Sequence, residues 1–391
     1  MSEQATLPLL TEWSVTTFKG WAGGMAERGA VPQVPVLQRR ALKALSGLFT
    51  PLLPDDYLEL INPLWSTQEL RGRIERIEHE TPDAVTVVIK PGWEWPGHKP
   101  GQYLRVGMPV NGIHHWRAYS ITSDPGRPDG CISITPKLVE SGKVSPYLVR
   151  TARRGVIVRL GGVEGAFTLP DPLPAKVLFI SAGSGITPIM SMLRSIDRGV
   201  GFTDAVHMHS ARTHADVIFG AQLRDLDQRN PAFRLHEQLT GESGRISPTD
   251  LDRLCPDWRE RETFLSGPPD MLAAMTAHWK QQLGNSNGLH LEHFQPYLGE
   301  EEGEQGDGGT IRFCTSGVNA ESDGSKPILA AGEDAGATLP FGCRMGICHT
   351  CVGRLRSGRI RDLRTGEVHG QNGEMVRTCI NAPEGAVEIE L

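Results

Sequence analysis

Four cysteines in the last part of the chain place the tightest constraint on its fold. Three of them follow the spacing C-x4-C-x2-C, and the fourth comes after a further 27 residues. They are Cys343, Cys348, Cys351 and Cys379. This spacing is typical of the ligands of a 2Fe–2S cluster, with three thiolates in one tight loop and the fourth on a distant strand. Gly342 and Gly346 would let the loop backbone approach the sulfurs closely.

A structural zinc site is the alternative for these cysteines. Zinc sites usually combine two C-x2-C pairs, and this stretch contains one, so the cluster is favoured. Residues 339–342 before the loop and 376–379 around the last cysteine resemble the 2Fe–2S ferredoxin family. The resemblance covers about residues 309–391 and implies an α+β domain of the β-grasp type at 310–391.

Length and charge narrow the class of protein. A chain of 391 residues is long enough for two to three domains. Its net charge of −6 gives no sign of nucleic-acid binding. The start of the chain lacks the pattern of a signal peptide, and three further cysteines form an odd remainder, as is typical of a reducing cytoplasm. We therefore expect a cytoplasmic protein, with peripheral attachment at the inner face of the membrane as an open alternative.

The first 67 residues form an extension before the pattern of strands begins. Apolar residues recur at helical spacing over residues 35–50, and Arg39, Arg40 and Lys43 lie largely on the other face. A basic amphipathic helix can dock on a membrane surface or on a partner. The alternative is that it packs on its own protein. The sequence leaves both open.

Residues 68–170 contain short β-branched runs separated by turn signals, which predict an antiparallel β-barrel. Within it, an arginine at 117 can neutralise a phosphate, and a tyrosine at 119 on the same face can stack on a planar ring. Ser120 adds a hydroxyl. An ordinary strand with polar surface residues is the alternative for this motif.

A second motif in the barrel begins at Gly142. Ser145 is predicted to be a helix N-cap and Pro146 the first helical residue, so free backbone amides would face an anion. The two motifs together resemble the flavin domain of the ferredoxin reductases. The resemblance implies FAD, favoured over FMN. It also assigns flavin contacts to Arg117, Ala118, Tyr119, Ser120, Lys143, Val144 and Ser145.

Residues 171–297 change to the pattern of a doubly wound α/β domain. A continuous apolar strand at 176–180 runs into a turn containing Gly183, Gly185 and Thr187, which predicts a phosphate cradle for a pyridine nucleotide. The next strand ends at Ser210 and Arg212, where an acidic residue would bind the ribose of NAD. This favours NADPH over NADH, although Arg212 could instead be a solvated surface charge.

Two further features complete the nucleotide domain and its exit. Ser266 stands where the reductase family usually has a cysteine beside the nicotinamide. The resemblance therefore makes Ser266 a catalytic candidate, together with Tyr119 and Ser120. The change from cysteine to serine puts the catalytic contribution of this position in doubt. Residues 291–294 are expected to approach the flavin edge. Residues 298–309 are acidic and glycine-rich, which predicts a flexible linker.

These motifs predict an oxidoreductase that passes electrons from NADPH to FAD, then to the 2Fe–2S cluster and an external acceptor, because a flavin can exchange both electron pairs and single electrons. Over about residues 68–391 the chain resembles the C-terminal-ferredoxin reductases of bacterial oxygenases. Across nearly its whole length it resembles the reductases of bacterial membrane fatty-acyl-CoA desaturases, which implies a di-iron desaturase as partner.

Other acceptors and roles stay open. The reductases of alkane hydroxylases are less similar, and an aromatic or acyl-CoA hydroxylase is a further candidate partner. A redox-sensing or electron-transfer subunit without enzyme activity is the alternative from a different class. Five arginines within residues 354–364, just after the cluster loop, are either a solvated turn or part of a surface for the partner.

Overall fold

The computed structural model describes residues 59, 61–66, 68–110, 113–140, 142–294 and 306–391, apart from positions 343, 345, 347 and 348. The predicted helix over residues 35–50 lies outside the described residues. So do most of the 1–67 extension and positions 298–305 of the predicted linker.

Strands dominate the described residues. The strands are β1 (Arg71–Thr81), β2 (Ala84–Pro91), β3 (Tyr103–Val110), β4 (Ile113–Ser120), β5 (Ile132–Ile134), β6 (Ile157–Glu164), β7 (Val177–Ala182), β8 (Ala205–Ala211), β9 (Phe233–Leu239), β10 (Glu262–Gly267), β11 (Leu289–His293), β12 (Gly309–Phe313), β13 (Asn319–Ser322), β14 (Val352–Asp362), β15 (Val368–His369), β16 (Met375–Arg377) and β17 (Asn381–Glu390). The α-helices are α1 (Val144–Pro146), α2 (Ile186–Arg198), α3 (Gly220–Arg229), α4 (Thr240–Ser243), α5 (Pro248–Leu254), α6 (Pro269–Leu283) and α7 (Ile328–Asp334).

The first six strands form the predicted antiparallel barrel, in the order β4-β3-β6-β1-β2-β5. The β-branched run of β2 is buried along nearly all of its length, as a strand in a closed core must be. A bridge between Ile121 and Ile134 joins the end of β4 to β5 and brings the two edges together. Strand β4 follows β3 in the chain and pairs with it in antiparallel fashion, so the Arg117–Ser120 motif lies on the second arm of a hairpin.

A parallel sheet of order β11-β10-β7-β8-β9 forms the nucleotide domain. Its central strand β7 is apolar because helices cover both faces of the sheet. The strand order reverses beside β7, since β8 follows on one side and β10 on the other. Open α/β sheets bind ligands in the crevice at such a reversal, at the carboxyl ends of the strands.

Helix α2 connects this sheet to the barrel. The Ser191 hydroxyl donates to the backbone carbonyl of Ser123 at 2.7 Å, and Arg194 donates from Nη1 to the carbonyl of Thr122 at 2.7 Å. Both carbonyls lie in residues 122–124, directly after the flavin motif of β4. The relative position of barrel and sheet is therefore fixed by buried hydrogen bonds.

The third sheet has the order β13-β12-β17-β14-β15, with β16 paired to β14. It packs with α7 around a core that includes Phe313, Cys351 and Cys379, which confirms the β-grasp prediction. The end of the predicted linker differs from expectation. Gly309 already begins β12, and Gly308 forms a bridge with Glu384, because this backbone extends the pairing of β12 with β17.

The arginine-rich stretch at 354–364 falls mainly on β14 rather than on a turn. Its antiparallel neighbour β17 is acidic. Arg356 Nη2 lies 2.7 Å from Glu390 Oε1, and Arg361 is paired with Glu384. Much of the positive charge is balanced within the sheet, so the stretch is a weaker candidate for a basic docking surface than the sequence indicates.

Candidate functional site

A cavity of about 630 Å³ lies where the three sheets meet. Its volume is within the range of small-molecule sites, about 300–1,000 Å³. All seven residues predicted to contact the flavin line it: Arg117, Ala118, Tyr119, Ser120, Lys143, Val144 and Ser145. The nucleotide domain contributes Ser184, Thr187, Glu292 and Phe294, and the cluster loop contributes Phe341, Gly342 and Arg344.

The local conformation of β4 explains how its motif reaches this cavity. Side chains two apart on a strand share a face, so Arg117 and Tyr119 project together. Arg117 Nη1 donates to the carbonyl of Trp116 at 2.7 Å, which holds the guanidinium close to the strand. Burial raises the pKa of the Tyr119 phenol, which therefore stays neutral as a flat ring and hydroxyl.

The predicted cap at Ser145 is wrong. Helix α1 begins at Val144, and its N-cap is Lys143, which has a helical backbone and makes no side-chain capping bond. The Ser145 hydroxyl instead accepts a hydrogen bond from the backbone N–H of Val139 at 3.1 Å. This bond ties the segment before the helix to α1. Ser145 still lines the cavity, but its hydroxyl binds the preceding loop and does not cap the helix.

Glu292 is a functional candidate that the sequence did not single out. The sequence predicted only that residues 291–294 approach the flavin edge. It lies on β11 and lines the large cavity. Burial raises the pKa of its carboxyl group to about 7. A carboxyl group with this pKa can hold or release a proton at neutral pH.

The phosphate cradle forms where β7 ends. Residues 183–185 make a tight turn, and α2 begins at Ile186. Gly183 has a φ of +53°, and a Cβ on Gly185 would lie 2.1 Å from the carbonyl oxygen of Ser266. Both positions therefore require glycine. A second cavity of about 370 Å³ is lined by Gly183 and Gly185, while Thr187 faces the flavin cavity and donates to the Ser184 carbonyl at 2.9 Å.

Ser210 and Arg212 lie together in a third cavity of about 360 Å³, which Gly183 also lines. The Ser210 side chain is buried, and its hydroxyl has no hydrogen-bond partner among the described residues. Arg212 Nη2 lies 3.4 Å from Asp216 Oδ1 but remains largely exposed. Arg245, which sequence reasoning missed, lines the same cavity from the segment after β9. Its position after the next strand at the same sheet edge was the available signal.

Two of the four predicted iron ligands can be described, and Cys343 and Cys348 lie outside the described residues. Cys351 and Cys379 are both buried. The backbone N–H of Gly346 donates to the sulfur of Cys379 at 3.1 Å, as backbone amides around iron–sulfur clusters do. The Thr378 hydroxyl donates to the carbonyl of Cys351 at 2.8 Å, which ties the two ligand segments together.

Comparison with protein families agrees with these three sites. The family described as "Oxidoreductase FAD-binding domain" matches residues 94–169, "Oxidoreductase NAD-binding domain" matches residues 179–277, and "2Fe-2S iron-sulfur cluster binding domain" matches residues 311–384.

Curated relatives match over most of the chain. A Mycobacterium tuberculosis protein named "NADPH oxidoreductase" is 45% identical over 352 residues, covering 89% of this chain and 91% of the relative. The chain belongs to this oxidoreductase family. The "Glycine betaine monooxygenase reductase subunit" of Chromohalobacter salexigens is 30% identical to this oxidoreductase over 325 residues, covering 75% and 87% of the two chains.

A solved structure of phthalate dioxygenase reductase has the same multidomain fold. It superposes with a TM-score of 0.56 at 20% identity, covering 83% of this chain and 98% of the other. The chain therefore has the predicted architecture of an FAD-binding barrel, a nucleotide-binding α/β sheet and a C-terminal 2Fe–2S domain. Among the described residues, no helix is both long and apolar enough to span a membrane.

The residues of this oxidoreductase fit its cofactors. FAD would be held by Arg117 and Lys143, which line the large cavity, with Tyr119 and Ser120 beside them. A pyridine nucleotide suits the glycine cradle and the Ser210 hydroxyl, which has no partner within the described part of the chain, because buried hydroxyl groups normally have partners. The buried sulfurs of Cys351 and Cys379, one already accepting an amide hydrogen, suit the cluster.

Ser266 is a predicted site residue whose backbone adjoins Gly185 of the phosphate cradle but whose side chain reaches none of the three cavities. Its side chain on β10 is fully buried, and it is not among the residues lining the three cavities. Its hydroxyl has no partner among the described residues. A catalytic role for Ser266 stays a prediction.

A buried histidine cluster was missed by sequence reasoning. The Ser181 hydroxyl on β7 lies 2.8 Å from Nε2 of His207 and 2.7 Å from Nδ1 of His209, both on β8. Burial lowers the pKa of His209 to about 4 and that of His207 well below its usual value. Both rings are therefore neutral beneath the phosphate turn at neutral pH.

Proposed function

We propose that this oxidoreductase takes electrons from NADPH and delivers them singly to an oxygenase, specifically a membrane di-iron acyl-CoA desaturase. The observation that carries the nucleotide choice is the third cavity, where Ser210, Arg212 and Arg245 meet and no acidic side chain ends β8. The two guanidinium groups each lie near a carboxylate, Asp216 or Asp270, and the Ser210 hydroxyl has no partner among the described residues. This set of donors suits the 2′-phosphate that distinguishes NADPH from NADH.

When bound, the flavin supplies the step between a two-electron nicotinamide and a one-electron cluster. The residues of the chain would do the rest. Tyr119 and Ser120 would orient the ring system, Arg117 and Lys143 would neutralise phosphate, and Glu292 would hold or release a proton at the cavity. Phe341 and Arg344 bring the cluster loop to the same cavity, which supports direct transfer to the iron–sulfur domain.

The nucleotide choice is tested by kcat/KM for NADPH and NADH. A charge-assisted hydrogen bond to phosphate is worth about 1.5–3 kcal/mol, or roughly ten- to a hundredfold in affinity. Arg212→Ala should lower kcat/KM for NADPH by that factor and leave NADH nearly unchanged. Arg229→Ala, which removes an exposed arginine from pairs with Asp197 and Asp225, is the matched control. Equal kcat/KM for both nucleotides in the unaltered protein would contradict the NADPH assignment.

The electron exit is tested at a cysteine. Cys351→Ser should abolish iron–sulfur absorption and cytochrome c reduction, while ferricyanide reduction at the flavin should survive. If cytochrome c reduction survives although the cluster is lost, the cluster is not the electron exit; if both activities disappear although FAD stays bound, the flavin and iron–sulfur domains do not act as separate modules.

The desaturase is supported by the resemblance of nearly the whole sequence to desaturase reductases. Relatives named as reductase components of monooxygenases support an oxygenase acceptor more generally. The test combines the full chain with membranes containing a candidate desaturase, NADPH, oxygen and stearoyl-CoA, and measures the monounsaturated product. The Cys351→Ser protein is the negative control. Fast cytochrome c reduction without product for every membrane desaturase of the organism would favour a different oxygenase.

A further inference from the structure

We propose that Arg344 is a positioning residue for the transfer of single electrons from the flavin to the cluster. Its guanidinium group joins Glu333 to Phe341 and so holds the start of the cluster loop at the flavin cavity. This role rests on the proposed route from the flavin to the cluster. NADPH would be oxidised to NADP⁺ and one proton, and its two electrons would leave through the cluster one after the other to the acceptor.

The Arg344 side chain makes two kinds of contact within the iron–sulfur domain. Its Nη1 donates to Glu333 Oε2 at 2.7 Å and its Nη2 to Glu333 Oε1 at 2.6 Å, a two-pronged pairing that fixes the plane of the guanidinium group. The same group lies over the ring of Phe341, 4.3 Å from its centroid. Glu333 lies on α7, so one side chain joins this helix to the loop.

The backbone of Arg344 has a conformation that its surroundings must support. Its φ is +58°, in the left-handed region that is unfavourable for a residue with a Cβ atom. Glycine would adopt this conformation without strain. Residues held in this region cluster at functional sites. An arginine at this position therefore points to a use for its side chain.

The pair of Phe341 and Arg344 forms the part of the flavin cavity that the iron–sulfur domain contributes, with Gly342 between them. Phe341 is 46% exposed although it is large and apolar. A planar ligand in the cavity would cover such a ring. Since Glu333 does not line the cavity and balances the charge of Arg344, we assign the flavin contact to Phe341 and its placement to Arg344 and Glu333.

This arrangement controls the distance between the flavin and the cluster. Arg344 directly follows the predicted iron ligand Cys343, and Phe341 comes two residues before that ligand. The rate of electron transfer falls steeply with distance. A loop that leaves the cavity for part of the time should therefore lower the rate at which NADPH reduces the cluster.

Loss of the ion pair should slow reduction of the cluster. Glu333→Gln should lower its rate about two- to tenfold, because the pair is partly exposed. Arg344→Gly accepts the positive φ but lacks the side chain, and it should show a similar loss. Arg344→Lys keeps the charge without the two-pronged geometry and should recover part of the rate. Asp334→Asn is the matched control, since it removes an exposed pair with Lys326 at the next position of α7.

The experiment mixes the purified holoprotein with excess NADPH in the absence of oxygen and follows flavin and cluster bleaching separately by stopped-flow absorption. Glu333→Gln should reduce its flavin at the normal rate. A second readout needs no turnover. The fluorescence of bound, oxidised FAD should rise in Glu333→Gln, because the aromatic ring and the cluster that quench it lie farther away. The electron paramagnetic resonance spectrum of the dithionite-reduced cluster should stay unchanged.

Unchanged cluster reduction in both Glu333→Gln and Arg344→Gly would overturn the proposal, and so would an equal loss in Asp334→Asn. If Arg344→Gly does not retain its cluster, Glu333→Gln and its control decide, because neither changes the loop. If NADPH reduces the flavin but never the cluster in the unaltered protein, the proposed route fails and the role of Arg344 fails with it. Normal cluster reduction in the unaltered protein and in the variants removes the role of Arg344 alone.

Discussion

Buried polar side chains at the two ends of the nucleotide sheet differ in whether they have hydrogen-bond partners. At the amino end of β10, Arg261 has a buried side chain that donates to both oxygens of Asp257 at 2.8–2.9 Å and to Asp204 Oδ2 at 2.9 Å. It also donates to the backbone carbonyl of Asp204 at 3.2 Å. At the carboxyl ends, the hydroxyls of Ser210 and Ser266 have no partner among the described residues.

This difference distinguishes buried groups that stabilise the fold through internal hydrogen bonds from buried groups whose partner would be a ligand. A buried polar group without a partner costs about 1–3 kcal/mol, so its persistence needs a reason. For Ser210 the proposed nucleotide site supplies a reason, because Ser210 lines the third cavity. For Arg261 the partners lie within the protein, and its contribution is to stability.

The largest effect is expected at the satisfied end. Arg261→Met leaves Asp204 and Asp257 without their shared cation and should lower the free energy of unfolding by about 3–5 kcal/mol. Denaturation midpoints of the holoprotein measure this. Arg259→Met, at an exposed neighbour stacked on Trp258, should cost less than about 1 kcal/mol. The KM for NADPH should not change in either variant, and a raised KM in Arg261→Met would break the distinction between the two ends.

Lowering the pH should lower the free energy of unfolding, because the histidine cluster is buried in its neutral form. The pKa of His209 is lowered to about 4, whereas an unfolded histidine titrates near 6.5. Between these values the unfolded chain binds more protons, so the free energy of unfolding falls as the pH drops from about 6.5 to about 4, by about 3 kcal/mol for His209. The full contribution is present above pH 6.5.

Stability measured from pH 7 to pH 5 in the protein with His207→Gln and His209→Gln isolates this contribution. The double variant should show a shallower slope than the unaltered protein, whatever its absolute stability. Asp250, with a pKa lowered to about 2, contributes its own slope only at lower pH. Identical slopes in the two proteins would mean that the histidines do not remain neutral on folding.

A smaller loss is expected at the phosphate cradle. The Cβ introduced by Gly185→Ala would meet the backbone of Ser266, so the turn or β10 must shift, at about 1–3 kcal/mol. Calorimetry should also show weaker binding of both nucleotides. Gly162→Ala, where a Cβ meets only Glu164 Oε1 at 3.7 Å, is the matched control and should be tolerated. Normal nucleotide binding in Gly185→Ala would argue against a close approach of the cradle to the ligand.

The smallest change in stability is expected at Ser266. Ser266→Ala removes a buried hydroxyl that lacks a partner and should leave the free energy of unfolding unchanged or slightly higher. Ser181→Ala, which removes the hydroxyl between two histidines, should cost about 1–3 kcal/mol. A fall in kcat without a fall in stability would support the predicted catalytic role of Ser266, and unchanged kcat would remove it.

Local patterns predicted the elements that depend on local rules. The apolar run of β7, the glycine turn after it and the shared face of Arg117 and Tyr119 follow from strand periodicity and steric limits. The cap at Ser145 failed because a more distant N–H, that of Val139, competes for the same hydroxyl. The local cap motif carries no information about this competing N–H, because Val139 lies outside the motif.

The groups that sequence reasoning missed are brought together only by tertiary structure. Arg344 meets Glu333, 11 positions earlier in the chain, because α7 lies beside the cluster loop. Ser181 reaches His209 because β7 and β8 pair in parallel at that register. The balanced charge of the arginine-rich stretch likewise depends on which strand lies beside β14.

Helix α2 limits how this chain could be recombined with its relatives. The helix starts at the nucleotide turn, yet Ser191 and Arg194 on its side bind the segment at 122–124. A chimera with a foreign nucleotide domain that lacks an equivalent of Arg194 would leave the Thr122 carbonyl without this donor, directly beside the flavin strand. Exchange of the nucleotide domain alone should therefore misplace the flavin, whereas exchange of barrel and nucleotide domain as one unit should preserve it.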